Sequence, residues 1–314
     1  MKIIITIILI IFSLVTLAQQ DAGFSMYFFN PVYVNPGYAG SREAFSGSLV
    51  CRSQWTGMSG GPLSQSLSVH SAIPNSKVGI GFQFYNDVTG PMKNTGINLT
   101  YAYHLPIGEN SKLAFGLSGM TNFIRIGLNQ INVEDENDPA FYENTYSNWV
   151  FDASTGLYFY KPRFYLGLSV NHLLQSKFGL KNAPDPNLAR FYRQYYLTSG
   201  IVFHLNEILE FRPSILMKYV KSAPLVTEIT GSLLLFQKVF VGASFRTDKR
   251  VDIVGYDNMI IGILEFDITN FLRLGYSYDY YLNRNGKYNN GTYEIMLGWD
   301  VGRNQTKKTT TRYF

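Results

Sequence analysis

The side chains best suited to act as base, nucleophile or metal ligand are few in this sequence of 314 residues: four histidines, one cysteine and 22 carboxylates. Catalysis would need some of them at defined spacing. No G-x-S-x-G, H-E-x-x-H, Walker loop or C-x-x-C occurs, so the common signatures of hydrolases, zinc enzymes, nucleotide enzymes and thiol oxidoreductases are missing. His70 and His104 fall on two stretches that are not neighbours, with no acid fixed beside either. That is the pattern of satisfied interior histidines, because geometry must precede an acid–base role. Glu134, Asp135, Glu136 and Asp138 crowd "NVEDENDPAFYE", but without the spaced ligands and central glycine of a calcium loop, and read as a solvated loop. Cys51 has no partner for an intramolecular disulfide. The reading is of a protein without a catalytic site, metal or cofactor.

Charge points the same way. The chain carries a net +5, and Arg303, Lys307, Lys308 and Arg312 concentrate four positive charges in the last twelve residues. The body is near neutral, so no basic face asks for nucleic acid.

Residues 1–18 read as a cleaved signal peptide, with Lys2 as a minimal charged start, an apolar Ile3–Val15 and a small-residue site at Thr16-Leu17-Ala18. Beyond residue 43 the period of the sequence is two. In "KVGIGFQFYND" Val78, Ile80, Phe82 and Phe84 share one face and Gly79, Gly81, Gln83 and Tyr85 the other; Tyr293, Ile295, Leu297, Trp299 and Val301 repeat the alternation near the end. About fourteen such runs span residues 43–302, mostly of ten residues or more, longer than an ordinary β-sandwich needs and sufficient for tilted membrane-spanning strands. Tyr and Phe number 23 each, as girdles at two membrane interfaces require. The expectation is an all-β transmembrane antiparallel barrel. Connections after even strands are tight and those after odd strands mostly longer, which puts both termini, including the basic tail 303–314, in the periplasm. Inward positions would include Arg52, His70, Asp152, Glu210, Arg212, Lys218, Glu228, Arg246, Arg273, Asp279, Glu294 and Asp300. With both signs present, they suggest a salt-bridge network rather than a selectivity filter.

Residues 19–42 are the unusual part. "MYFFNPVYVNPGYAG" sets two Asn-Pro pairs five residues apart among aromatics. Each pair pushes its asparagine out of the α region, and proline removes donors, so neither helix nor central strand is expected, only two turns in an extended path. Tyr27, Phe28, Phe29, Tyr33 and Tyr38 nevertheless carry more apolar area than a free linker exposes. The segment is expected to dock a partner or plug the periplasmic mouth.

Three blocks carry a resemblance: Asn30, Pro31, Tyr33, Asn35, Pro36, Tyr38, Ala39 and Gly40; then Arg52, Gln54 and Trp55; then Asn86, Asp87, Gly90 and Pro91. Together they resemble the opening of the PorP/SprF family of type IX secretion system membrane proteins of Bacteroidota, and the likeness extends over the mature chain. The resemblance implies an outer-membrane barrel serving protein secretion and gliding motility. It implies partners among the other type IX components, namely a periplasmic ring lipoprotein and a peptidoglycan-associated protein, or a large secreted surface adhesin with a C-terminal sorting domain. It names no catalytic residue. A porin-like diffusion or uptake channel is the alternative.

Overall fold

A computed structural model describes residues 23–128, 145–178, 189–221, 223–249, 258–282 and 289–302. The signal-peptide reading, the acidic 134–138 stretch and the basic tail lie outside them. Sixteen β-segments make fourteen spanning strands. They are β1 Phe45–Ser53, β2 Leu63–Ala72, β3 Val78–Thr89, β4 Met92–Gly108, β5 Ser111–Gly127, β6 Thr145–Lys161, β7 Phe164–Asn171 and β8 Gln194–Ile201 with its continuation β9 Phe203–His204. The ring goes on with β10 Leu209–Phe211 continued as β11 Ser214–Val220, then β12 Leu225–Leu235, β13 Val239–Lys249, β14 Met259–Asp267, β15 Leu272–Tyr281 and β16 Thr292–Val301. Each pairs antiparallel with its neighbours in sequence, and β1 pairs with β16, so the sheet closes on itself. Closure leaves no ring edge, the condition for a sheet to cross a bilayer.

The two-residue period predicted from sequence is the burial pattern of the wall. Leu99, Leu117, Ile229 and Ile295 are more than half exposed on the outside. Ser48, Ser66, Gln83, Thr100, Ser118 and Asn122 alternate with such residues and are buried inside. All twelve inward charged or histidine positions expected from alternation do face the interior: eleven are buried, and Arg246 is 13 % exposed. Tight turns, such as Lys161 to Phe164 and Leu235 to Val239, gather at one end. The connection 54–62 and the described residues 172–178, 189–193 and 289–291 lie at the other.

Leu49 sits at the centre of β1, 46 % exposed between Leu67 and Leu297. Leu49→Arg is expected to lower barrel stability in vesicles by about 2–4 kcal/mol, the cost of a cation at mid-bilayer. Unchanged folding would contradict the assigned outer face.

Candidate functional site

The interior is occupied by the chain's own Asn-Pro segment. From Phe24 to Ala39 nearly every residue is buried; Met26, Tyr38 and Ala39 have no exposure at all. The sequence reading allowed no helix here, and the structure corrects it. Tyr27–Phe29 and Pro36–Tyr38 form single 3-10 turns and Pro31–Val34 one α-turn. Both prolines stand at the first helical position, where the missing N–H would be unsatisfied anyway. Asn30 and Asn35 keep non-helical backbones ahead of them (φ −132° and −137°). The Asn-Pro pairs start turns and limit them to one.

The segment is tied to the wall all round. At its Phe24 end, Ser25 N–H and Met26 N–H donate to the two Glu294 oxygens at 2.8 and 2.9 Å. Arg52 binds Asp279 at 2.7 Å and Glu294 at 3.0 Å and also reaches Ser25 Oγ, with all three side chains at most 1 % exposed. Arg246 links Glu228 to Ser25 Oγ and the Phe24 carbonyl. An ion pair this deep holds only if its remaining hydrogen bonds are made, and removing one member costs on the order of 3–5 kcal/mol. Here the segment's backbone and Ser25 hydroxyl make several of them. Phe28 and Phe29 pack on Phe240 of β13, centroids 5.6 and 5.2 Å away. On the far wall the Asn35 amide donates to Leu157 O (2.9 Å) and Leu168 O (3.3 Å) while its Oδ1 caps the second turn through Gly37 N–H. Ser169 Oγ donates to Val34 O at 2.7 Å.

At the tight-turn end, the two histidines that sequence reading left apart hold consecutive residues. His70 Nδ1 accepts from Gly40 N–H at 3.1 Å, and His104 Nε2 donates to Ala39 O at 2.8 Å while its Nδ1 accepts from Tyr160. These bonds use the histidines as neutral anchors. Tyr38 stacks edge-on against His70 and Tyr158 and accepts from Arg42 at 2.7 Å, and Arg42 pairs with Asp300 at 3.0 Å. Burial disfavours the Arg42 charge, yet Tyr38 and Asp300 raise its pKa above the ordinary value. Burial, with Tyr165 and Glu228 nearby, raises the pKa of Tyr27, which stays protonated.

Room for the segment comes from glycine. A Cβ on Gly116 of β5 would stand 2.1 Å from Gly37 N, and one on Gly79 of β3 1.9 Å from Ala39 O. Gly156, which pairs with Gly116 across β5–β6, lies under Asn35 in the same way.

The eight residues of the first motif, Asn30, Pro31, Tyr33, Asn35, Pro36, Tyr38, Ala39 and Gly40, are thus gathered in the lumen. Of the second, Arg52 lies in the charge cluster, while Gln54 and Trp55 sit in the β1–β2 loop, Trp55 38 % exposed with φ +51°. Asn86, Asp87, Gly90 and Pro91 lie at the same long-loop rim: Asn86 bonds Gln65 and Thr95, Asp87 accepts from Ser64, and Gly90 N–H donates to Gly60 O. Sequence reasoning missed the wall side of the site, above all Glu294 as acceptor for backbone N–H and the glycine floor. Among the described residues no group of three or more metal-ligating side chains could hold an ion.

A model of the family described as type IX secretion system membrane protein PorP/SprF matches residues 16–299. The chain belongs to this family. PorP/SprF membership and the barrel make it an outer-membrane protein of the type IX secretion system. No curated protein of similar sequence was found. Among solved structures it is similar to the CymD monoaromatic hydrocarbon channel, at TM-score 0.54 and 8% identity over 91% of this chain and 94% of that one. It is likewise similar to the Pseudomonas putida toluene transporter TodX, at TM-score 0.50 and 10% identity over 90% and 95%. At such identity the likeness is one of fold alone.

If the glycine floor seats this PorP/SprF segment, Gly116→Val should leave the barrel folded but unseat residues 24–42, and protease cleavage within them should accelerate. Gly119→Val, on the same strand with nothing within 4 Å of its Cβ, is the control and should match wild type. Equal resistance of the Gly116 variant would refute the close-packed seat.

Proposed function

We propose that this barrel is a closed accessory of the type IX machinery, a scaffold or cargo-specific helper for export or anchoring of a large surface adhesin, and not a diffusion channel. The observation that carries the reading is the filled lumen. A solute pathway needs a continuous hydrated passage, whereas Phe24–Gly40 occupies the interior and bonds to walls on opposite sides. The names of the channel and transporter of similar fold add no argument for uptake, because the likeness concerns only the barrel.

In this reading the signal peptide is removed after Ala18, the tight turns and the basic tail face the periplasm, and the long loops face outward. The periplasmic ring lipoprotein and the peptidoglycan-associated protein would then meet the tight-turn end, where Gly40, Ser41 and Arg42 lead into β1. An exported adhesin would meet the opposite rim, where Gln54, Trp55, Asn86, Asp87, Gly90 and Pro91 gather. No catalytic step is assigned, since the lumen histidines are engaged as neutral anchors.

Replacing Asn35, Pro36 and Tyr38 together with Gly or Ser, in the organism that encodes the protein, is expected to leave the barrel inserted while export of its cognate secreted protein is lost. The measurement compares the secreted proteins of wild-type, deletion and substituted strains. Normal export from the deletion strain would overturn the proposal.

A further inference from the structure

The outer face of the wall is uneven where its strands are shortest. β7 and β8 have eight residues each and β11 seven, against 17 for β5 and β6. Across the short strands the pairing sets Leu157, Leu168, Leu197 and Met217 in one row. In the next row towards the long-loop rim Tyr195 stands opposite Tyr219, with ring centroids 6.0 Å apart. These residues line an outward-facing apolar depression of about 420 Å³. Leu157, Leu168, Tyr195 and Tyr219 are all between 41 % and 49 % exposed, so no other part of the chain covers it. Two positions nearer the rim, each of the two tyrosine-bearing strands continues into a basic residue: Arg193 ahead of Tyr195 and Lys221 after Tyr219, both exposed. Arg193 Nε donates to Leu173 O at 2.8 Å, which holds the guanidinium at the rim. Neither cation pairs with a carboxylate among the described residues.

From the middle of the wall to its rim the order is an apolar hollow, a pair of tyrosines and a pair of cations. A membrane lipid has the same order: acyl chain, polar interface, charged headgroup. We infer that this face binds an anionic, phosphate-bearing lipid of the leaflet at the long-loop side, with one acyl chain in the depression and its phosphate between Arg193 and Lys221. The inference needs only the membrane-spanning barrel and not the export role. Each part of the site has a separate task. The hollow gives an acyl chain contacts that a smooth wall would not, since dispersion grows with the number of touching atoms. The tyrosines, apolar in the ring and polar at the hydroxyl, suit the level where chain meets headgroup. The guanidinium and the ammonium supply charge-assisted hydrogen bonds to phosphate oxygens. Charge also decides between occupants. A second copy related by an axis along the membrane normal would set its own Arg193 and Lys221 against the same pair, whereas a phosphate neutralises them.

The test is native mass spectrometry of the purified full-length mature barrel in detergent, with phosphatidylglycerol and, separately, phosphatidylcholine of the same acyl chains as probes. The expected result is retention of phosphatidylglycerol in preference to phosphatidylcholine. In the double variant Arg193→Gln, Lys221→Gln that retention should weaken roughly thirtyfold, as the loss of two basic contacts to an anionic lipid implies. Lys93 and Arg125, an exposed pair facing each other across β4 and β5, are the control. Lys93→Gln with Arg125→Gln should bind as wild type. Leu168→Trp fills the hollow from the lipid side and should lower retention with both cations in place. Equal retention of the two lipids, equal weakening by the two double variants, or a second copy bound in place of lipid would overturn the inference. Unchanged retention by a folded Leu168→Trp barrel would overturn it as well. Should that variant not fold, the two double variants decide.

Discussion

A ring of fourteen strands encloses more space than its wall side chains fill, and whatever lies inside must satisfy the polar groups that face it. In this protein the constraint is met by the chain itself. The inner wall carries Arg52, Asp279, Glu294, Arg246 and Glu228 at one level and Asp300 and Arg273 at another, where Arg42 joins Asp300 from the stretch before β1. Between them runs a segment whose aromatic rings take up the volume and whose backbone supplies the missing donors and acceptors. Each part needs the other, since the segment has no core of its own and the wall charges lack some of their hydrogen bonds without Ser25 and Met26.

The Asn-Pro pairs are the mechanical solution to a narrow seat. Gly116 of β5 and Gly156 of β6 leave no room for a Cβ beneath Gly37 and Asn35, so the backbone there lies directly on the wall. Three one-turn pieces, the last two begun by proline, fold back enough to bury Tyr27, Phe28, Phe29 and Tyr38 while keeping the backbone within reach of Asn35, His70 and His104. A barrel so filled leaves no free interior for solute, and the proposed accessory role would use its two rims.

Much of this was legible in the sequence. Alternation in "KVGIGFQFYND" and in the last strand is a local property, and fourteen runs closing antiparallel follow from it, together with the inward placement of all twelve charged or histidine positions. The aromatic burden of residues 26–38 announced burial. What covers those rings was not legible, because contacts such as Ser25 to Glu294 join residues 269 apart, and no local period encodes them. The helical turns were missed because proline was weighed as a breaker rather than as a first residue. His70 and His104 looked unrelated since their strands are separated by β3; the Ala39-Gly40 backbone brings them to one task. Gly79 stood on the inner face in "KVGIGFQFYND", but only the fold shows that it, Gly116 and Gly156 lie under the segment.

The central claim is that the intact chain is closed by its own N-terminal segment. Conductance of the purified, verified full-length mature barrel in planar bilayers tests it most directly. The account predicts no stable open level; large, steady porin-like currents would contradict it.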